Sequence, residues 1–163
     1  MKTIELVNYL NDYLNVSAFK DYAPNGLQVQ GTNEIKTIVT GVTACQALLD
    51  EAVKRKADAV LVHHGYFWKG EDPCVVGMKQ KRLKTLLENN INLLGYHLPL
   101  DAHLDVGNNV GLAKAMGWMH TGQFKTPTTP SIGFLGAPQA PCSTDELAEQ
   151  CEDVLGQTPL VIE

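Results

Sequence analysis

Apolar residues Leu6, Val7, Leu10 and Leu14 recur at three- and four-residue intervals, which predicts an opening amphipathic helix from about Thr3 to Leu14. Pro24-Asn25-Gly26 marks a turn ahead of Leu27-Gln28-Val29. Lys36 to Val42 is β-branched and reads as a strand. Thr43-Ala44-Cys45-Gln46 then has the form of a capping box, threonine as cap and glutamine three positions on, for a helix reaching about Arg55. The run Ala59-Val60-Leu61-Val62 is short, apolar and β-branched, as expected of a buried strand in a parallel sheet, and it ends in His63-His64-Gly65. A helix near 78–89, with Met78, Leu83, Leu86 and Leu87 on its apolar face, leads to a second run, Ile91-Asn92-Leu93-Leu94-Gly95-Tyr96, which ends in His97. Asn108 or Asn109 is placed to cap a further helix through Leu112, Ala113 and Met116, stopped by Gly117. Strand and helix alternate throughout, so the predicted class is α/β: a layered parallel or mixed sheet flanked by helices.

Beyond Gly117 the character changes. Thr126-Pro127-Thr128-Thr129-Pro130 reads as a connector, Ile132 to Leu135 as a short strand, and Ser143-Thr144-Asp145-Glu146 as a second capping box. Its helix, through Leu147, Val154 and Leu155, is expected to end near Gly156, and Thr158 to Glu163 reads as the start of another strand. The expected organisation is one α/β domain over 1–120 and the beginning of a second α/β unit, incomplete in itself, over 121–163.

At 163 residues and 44% hydrophobic composition the chain can bury a normal core. No stretch approaches the roughly 20 consecutive apolar residues of a membrane span, and Met1-Lys2-Thr3-Ile4-Glu5-Leu6 has no signal-peptide core, so a cytoplasmic protein is expected. Cys45, Cys74, Cys142 and Cys151 show no Cys-x-x-Cys spacing and read as reduced thiols. The net charge of −5 comes from the tail, where Lys125 stands alone against six acids, and it disfavours generic nucleic-acid binding. One basic cluster, Lys79, Lys81, Arg82 and Lys84, lies on the predicted helix near 78–89; a solvated helix face is its simplest meaning and phosphate steering the sharper one.

The chemistry gathers at two strand ends. His63 and His64 close one strand, His97 closes another, and Asp101 follows four residues later; in α/β folds such carboxyl ends are where the ligand crevice forms. Successive residues of a regular strand face opposite ways, so the paired rings are expected to diverge, reaching two ions about 3.5–4 Å apart. Imidazole suits Zn, Fe, Ni or Cu and carboxylate also admits Mn and Mg, so the donor set leaves the metal open. Tyr66, Phe67 and Trp68 follow directly and form an aromatic loop that could stack on a substrate ring or pack beneath itself. His103 is a candidate partner for the carboxylate or a solvated loop residue. Neither a Gly-x-Ser-x-Gly elbow nor a phosphate-binding glycine fingerprint occurs.

Four blocks, Asn25-Gly26-Leu27-Gln28-Val29, Gly41-Val42-Thr43, Ala57-Asp58-Ala59 running into His63-His64-Gly65-Tyr66-Phe67-Trp68, and Gly95-Tyr96-His97-Leu98-Pro99-Leu100-Asp101-Ala102-His103, together resemble the Nif-three-like dinuclear-metal-centre proteins, also called GTP cyclohydrolase 1 type 2 homologues, in their bacterial subgroup. The resemblance covers most of residues 1–120. It implies that His63, His64 and Asp101 are metal ligands, that His97 lies close to the ions, that two divalent ions are held, and that the longer form assembles as a toroidal hexamer. It also implies a further histidine and glutamate from a second half, for which residues 121–163 offer no candidate. The expectation is therefore an N-terminal piece or a shortened member that holds metal weakly. Its implied activity is hydrolysis of a nucleotide-like or phosphorylated small molecule by a metal-bridging water; the alternatives are a metal-handling protein or an oligomeric regulatory scaffold without turnover.

Overall fold

The computed structural model describes residues 1–124 and 130–162. Its elements run α1 (Thr3–Tyr13), β1 (Gly26–Val29), β2 (Ile38–Thr43), α2 (Gln46–Lys54), β3 (Ala59–His64), α3 (Gly77–Glu88), β4 (Asn92–Gly95), α4 (Leu98–Asp101), α5 (Asn108–Ala115), β5 (Met119–Gln123), β6 (Phe134–Ala137) and α6 (Thr144–Leu155). They divide into two compact units, Met1–Leu100 and Asp101–Glu163.

In the first unit the sheet order is β1-β4-β3-β2. β2, β3 and β4 are parallel, and β1 joins β4 antiparallel, which makes the sheet mixed. The period-two alternation of the strands sorts the core into two layers. Val60, Val62 and Leu93 face the side covered by Leu49 and Ala52 of α2 and Leu83 and Leu86 of α3. Ala59, Leu61 and Leu94 face the other side, where Leu6, Val7 and Leu10 of α1 cover them. Both faces of β3 are thus buried, the reason its run reads as continuously apolar. Asn92 is a fully buried polar exception whose amide accepts from Gly31 N and donates to the carbonyls of Thr32 and Asp58.

Two expected caps are not formed. Cys45, not Thr43, is the residue before α2 and makes no side-chain cap bond. Thr43 belongs to β2, and Gln46 instead donates to Asp50 Oδ1 and to Thr85 Oγ1 on α3. Gly107 precedes α5 in place of Asn108 or Asn109, which lie in the first turn of the helix, where Asn108 Nδ2 donates to Asp101 Oδ1 at 2.7 Å and Asn109 Nδ2 to Ile132 O at 2.7 Å.

The second unit pairs β5 with β6 antiparallel against α5, and α6 is tied to the segment before β5 by Gln150 Nε2 donating to Met116 O. Here the Ser143–Glu146 capping box is present, with Glu146 N donating to Ser143 Oγ and Ser143 N to Glu146 Oε2, and α6 ends at Gly156 with φ 65°. The expected strand at 132–135 begins two residues later, since Ser131 Oγ donates to Gly133 O and accepts from Gly133 N in a tight local turn. Residues 158–162 form no strand, and the connector residues 126–129, like Glu163, lie outside the described residues. Among the described residues no helix is long and apolar enough to cross a membrane, and all four cysteines are free.

Candidate metal centre

β3 and β4 are parallel neighbours, so their carboxyl ends lie side by side. His63 and His64 are the last residues of β3, and His97 follows β4 by two positions. Ring centroids stand 4.3 Å apart for His63 and His64, 5.1 Å for His63 and His97, and 5.7 Å for His64 and His97. One ligand nitrogen from each falls within 4.8 Å of the others, and this is the one such group among the described residues. Nitrogens bound to a single zinc-like ion at about 2.1 Å lie at most about 4.2 Å apart, so a small closure of the rings would bring all three onto one ion.

The paired rings therefore stand closer together than the opposite faces of a regular strand would place them. In the strand register His64 lies opposite Thr43 at the end of β2, the β3–β4 register stops at Val62 and Gly95, and Gly65 comes next. With no ladder on the β4 side to enforce the pleat, both rings turn towards His97.

Protein groups hold each ring by Nδ1. His63 Nδ1 lies 2.9 Å from the Tyr96 carbonyl, which can only accept, so Nδ1 carries a proton and in the neutral ring Nε2 keeps the lone pair. His97 Nδ1 lies 2.7 Å from Asp21 Oδ1 and donates to it by the same reasoning. His64 Nδ1 is 3.3 Å from Thr43 Oγ1. Metal-binding histidines characteristically have one nitrogen tied back in this way, and the donor set fits a divalent ion that takes imidazole nitrogen.

Asp21 was invisible as a functional residue in the sequence. Its side chain is 4% exposed and its carboxylate accepts from four donors: Tyr22 N and His97 Nδ1 on Oδ1, Asn25 Nδ2 and Leu98 N on Oδ2. Burial raises its pKa, and the hydrogen bonds from Asn25, His97, Leu98 and Tyr22 more than reverse that, leaving it below the ordinary carboxylate value. Asn25 closes the clamp by accepting from His97 N at 2.7 Å. The one available signal was the Asp21-Tyr22-Ala23-Pro24-Asn25-Gly26 run, whose residue types equally describe a plain turn.

Gln28 supports the opposite side. From β1 it accepts from Tyr66 N at 2.7 Å, just beyond the histidine pair, and donates to Pro24 O at 2.8 Å. A side chain on either Gly65 or Gly95 would collide with it, so these glycines serve close approach.

The aromatic loop splits in role. Tyr66 is buried in the core with its hydroxyl donating to Ala44 O at 2.7 Å. Phe67 is 38% exposed, in the left-handed region at φ 65°, with Lys79 Nζ 5.6 Å from its ring centroid. Trp68 stands edge-on to His97 at 4.9 Å and 6.0 Å from His64, with Nε1 donating to Gly65 O. Two lysines of the basic helix meet acceptors: Lys79 with Glu71 at 3.2 Å and Asp72 O at 2.8 Å, Lys84 with Glu88 at 3.5 Å.

Asp101 ends α4, the helix that starts directly after His97, and opens the second unit, where Oδ1 accepts from Asn108 Nδ2. His103 Nδ1 accepts from Asp105 N and Val106 N, so that nitrogen closes its own loop.

The model of the Duf34/NIF3 (NGG1p interacting factor 3) family matches residues 1–163. The chain belongs to that family. A GTP cyclohydrolase 1 type 2 homolog of Pseudomonas aeruginosa is 54% identical over 158 residues, which is 97% of this chain and 63% of that protein. Among solved structures, protein ybgI, described as of unknown function, superposes with a TM-score of 0.93 at 54% identity, covering 98% of this chain and 63% of that one. A protein of Thermus thermophilus gives 0.86 at 36% identity, covering 98% and 64%. The chain thus spans just under two thirds of the length of these Duf34/NIF3 relatives, and within that span the mixed α/β sheet and the histidines at its strand ends are its own.

Proposed function

We propose that His63, His64 and His97 form the core of a divalent-metal centre completed by the Asp101 carboxylate, and that the protein uses it to hydrolyse a nucleotide-like or phosphorylated small molecule. The observation that carries this reading is the convergence of three imidazoles within 4.8 Å, with His63 and His97 held in the tautomer that leaves Nε2 for an ion. A divalent ion there supplies activation of water and charge for a developing oxyanion. The chain's own residues bind and orient: His63 and His64 hold the ions, Asp101 offsets their charge, and Trp68 walls the His97 side. Phe67, exposed at the loop tip, is the residue placed to meet a substrate ring. Two ions and a homo-oligomeric assembly, a toroidal hexamer in the full-length form, belong to the same proposal.

Metal handling without turnover is the second reading. Its support is that Lys79 and Lys84 are paired with carboxylates rather than offered to a phosphate. Elemental analysis of the purified protein, beside a metal-dependent hydrolysis screen over GTP, other nucleotides and phosphate esters, separates the two. Turnover that appears with metal and vanishes with His64→Ala supports the hydrolase. Bound metal passed readily to an acceptor chelator, with no substrate turned over, supports handling.

A further inference from the structure

The most tightly built element around the imidazoles contributes no ligand of its own. Asp21 lies before β1, 76 residues from His97, yet it is nearly fully buried and all four of its hydrogen bonds come from donors. A carboxylate can meet four donors at once; no neutral side chain of the same shape can. Two of those donors, His97 Nδ1 and Leu98 N, belong to the segment that leaves β4, and Asn25 adds a third tie by accepting from His97 N. Nothing about the packing of the sheet calls for this arrangement, since His97 is already past the β4 ladder. Its consequence is chemical: the proton is fixed on Nδ1, and in the neutral ring the His97 lone pair stays on Nε2.

Resting on the metal-site reading above, we propose that Asp21 is the positioning residue of the centre, holding His97 in the tautomer and orientation in which Nε2 binds the ion alongside His63 and His64. Asn25 assists by fixing the His97 backbone. In Asp21→Asn an amide NH2 must face donors whichever way it turns. With Nδ2 in the place of Oδ1 it meets Tyr22 N–H and drives His97 to the opposite tautomer; in the place of Oδ2 it meets Leu98 N–H and the Asn25 amide. Outer ligand partners of this kind change metal affinity by about 10–100-fold.

The test has two parts. Long-range 15N–1H NMR of the histidine rings in the wild-type, metal-free chain reads the tautomer directly. The expected result is His97 with a protonated Nδ1 and an unprotonated Nε2, and a protonated Nε2 on neutral His97 overturns the proposal. Zn(II) affinity, by competition with a chromophoric chelator, is then measured for wild type, Asp21→Asn, His97→Ala and the double variant. Asp21→Asn is expected to weaken binding by about 10–100-fold in the wild-type background and to add nothing to His97→Ala. An equal loss in both backgrounds shows that Asp21 acts on folding alone and overturns the assignment. Failure of the wild-type chain to bind Zn(II) would instead sink the metal-site reading, while the tautomer measurement would still decide whether Asp21 sets His97.

Discussion

Gly95→Ala isolates the contact that braces the turn after the histidine pair. Gly95 has ordinary extended backbone, so alanine is acceptable there conformationally, but its Cβ would lie 2.8 Å from Gln28 Nε2 and 3.0 Å from Gln28 Cδ. The glutamine must withdraw, and it then gives up both its bond from Tyr66 N and its bond to Pro24 O. At about 0.5–1.5 kcal/mol for each hydrogen bond the loss is about 2 kcal/mol. Alanine returns about 0.4–1 kcal/mol by restricting the unfolded chain. The net cost is about 1–1.5 kcal/mol, roughly a tenfold change in the folding equilibrium. Gln28→Ala removes the same two bonds and also clears the space. Added to that variant, Gly95→Ala should therefore cost nothing and should stabilise by about 0.4–1 kcal/mol. Urea unfolding of the four proteins of this cycle, followed by circular dichroism, measures the coupling. If Gly95→Ala is equally destabilising in both backgrounds, Gln28 is not what requires the glycine.

The Tyr66 phenol, pushed up to about 12 by burial against the opposing pull of Arg82, makes stability pH-dependent in the alkaline range. The unfolded side chain ionises near 10, so the contribution is intact below pH ~10 and is lost as the pH rises towards ~12; Tyr66→Phe should show a shallower decline in urea titrations across that window. Tyr96→Phe removes the 3.0 Å hydroxyl donation to Asn11 Oδ1 and should cost about 1 kcal/mol in the same assay, with no cost expected if that bond is not formed in solution. Ser143→Ala should destabilise α6 by about 1 kcal/mol, seen as faster amide exchange over Thr144–Leu155 with the β3 and β4 amides unchanged; equal acceleration everywhere would tie this cap to global unfolding.

What the sequence revealed was whatever burial periodicity controls. β3 is covered on both faces and was legible as a continuous apolar run; of the apolar face expected for α3 only Leu83 and Leu86 are buried while Met78 and Leu87 are exposed, and α6 buries no residue although its cap formed as read. The antiparallel entry of β1 was not legible, because Leu27-Gln28-Val29 is too short to carry direction. The Thr43–Gln46 box failed because the pattern of a cap does not fix where the strand before it ends: Thr43 remained in β2 opposite His64, and α2 begins only at Gln46. At the site, the histidines announced themselves by ending two strands, but their convergence depends on where the β3–β4 ladder stops, a property of register between segments about 30 residues apart in sequence. Asp21 and Gln28 were hidden for the same reason, since their roles exist only through partners far along the chain.

The central claim, that the imidazoles at the ends of β3 and β4 hold a divalent ion, is tested most directly by following histidine 15N resonances during a Zn(II) titration of this chain. The Nε2 signals of His63, His64 and His97 are expected to change together and saturate, while those of His103 and His120 do not follow. Zn(II) uptake that leaves these three rings unperturbed, or that persists unchanged when all three are replaced by alanine, would contradict it.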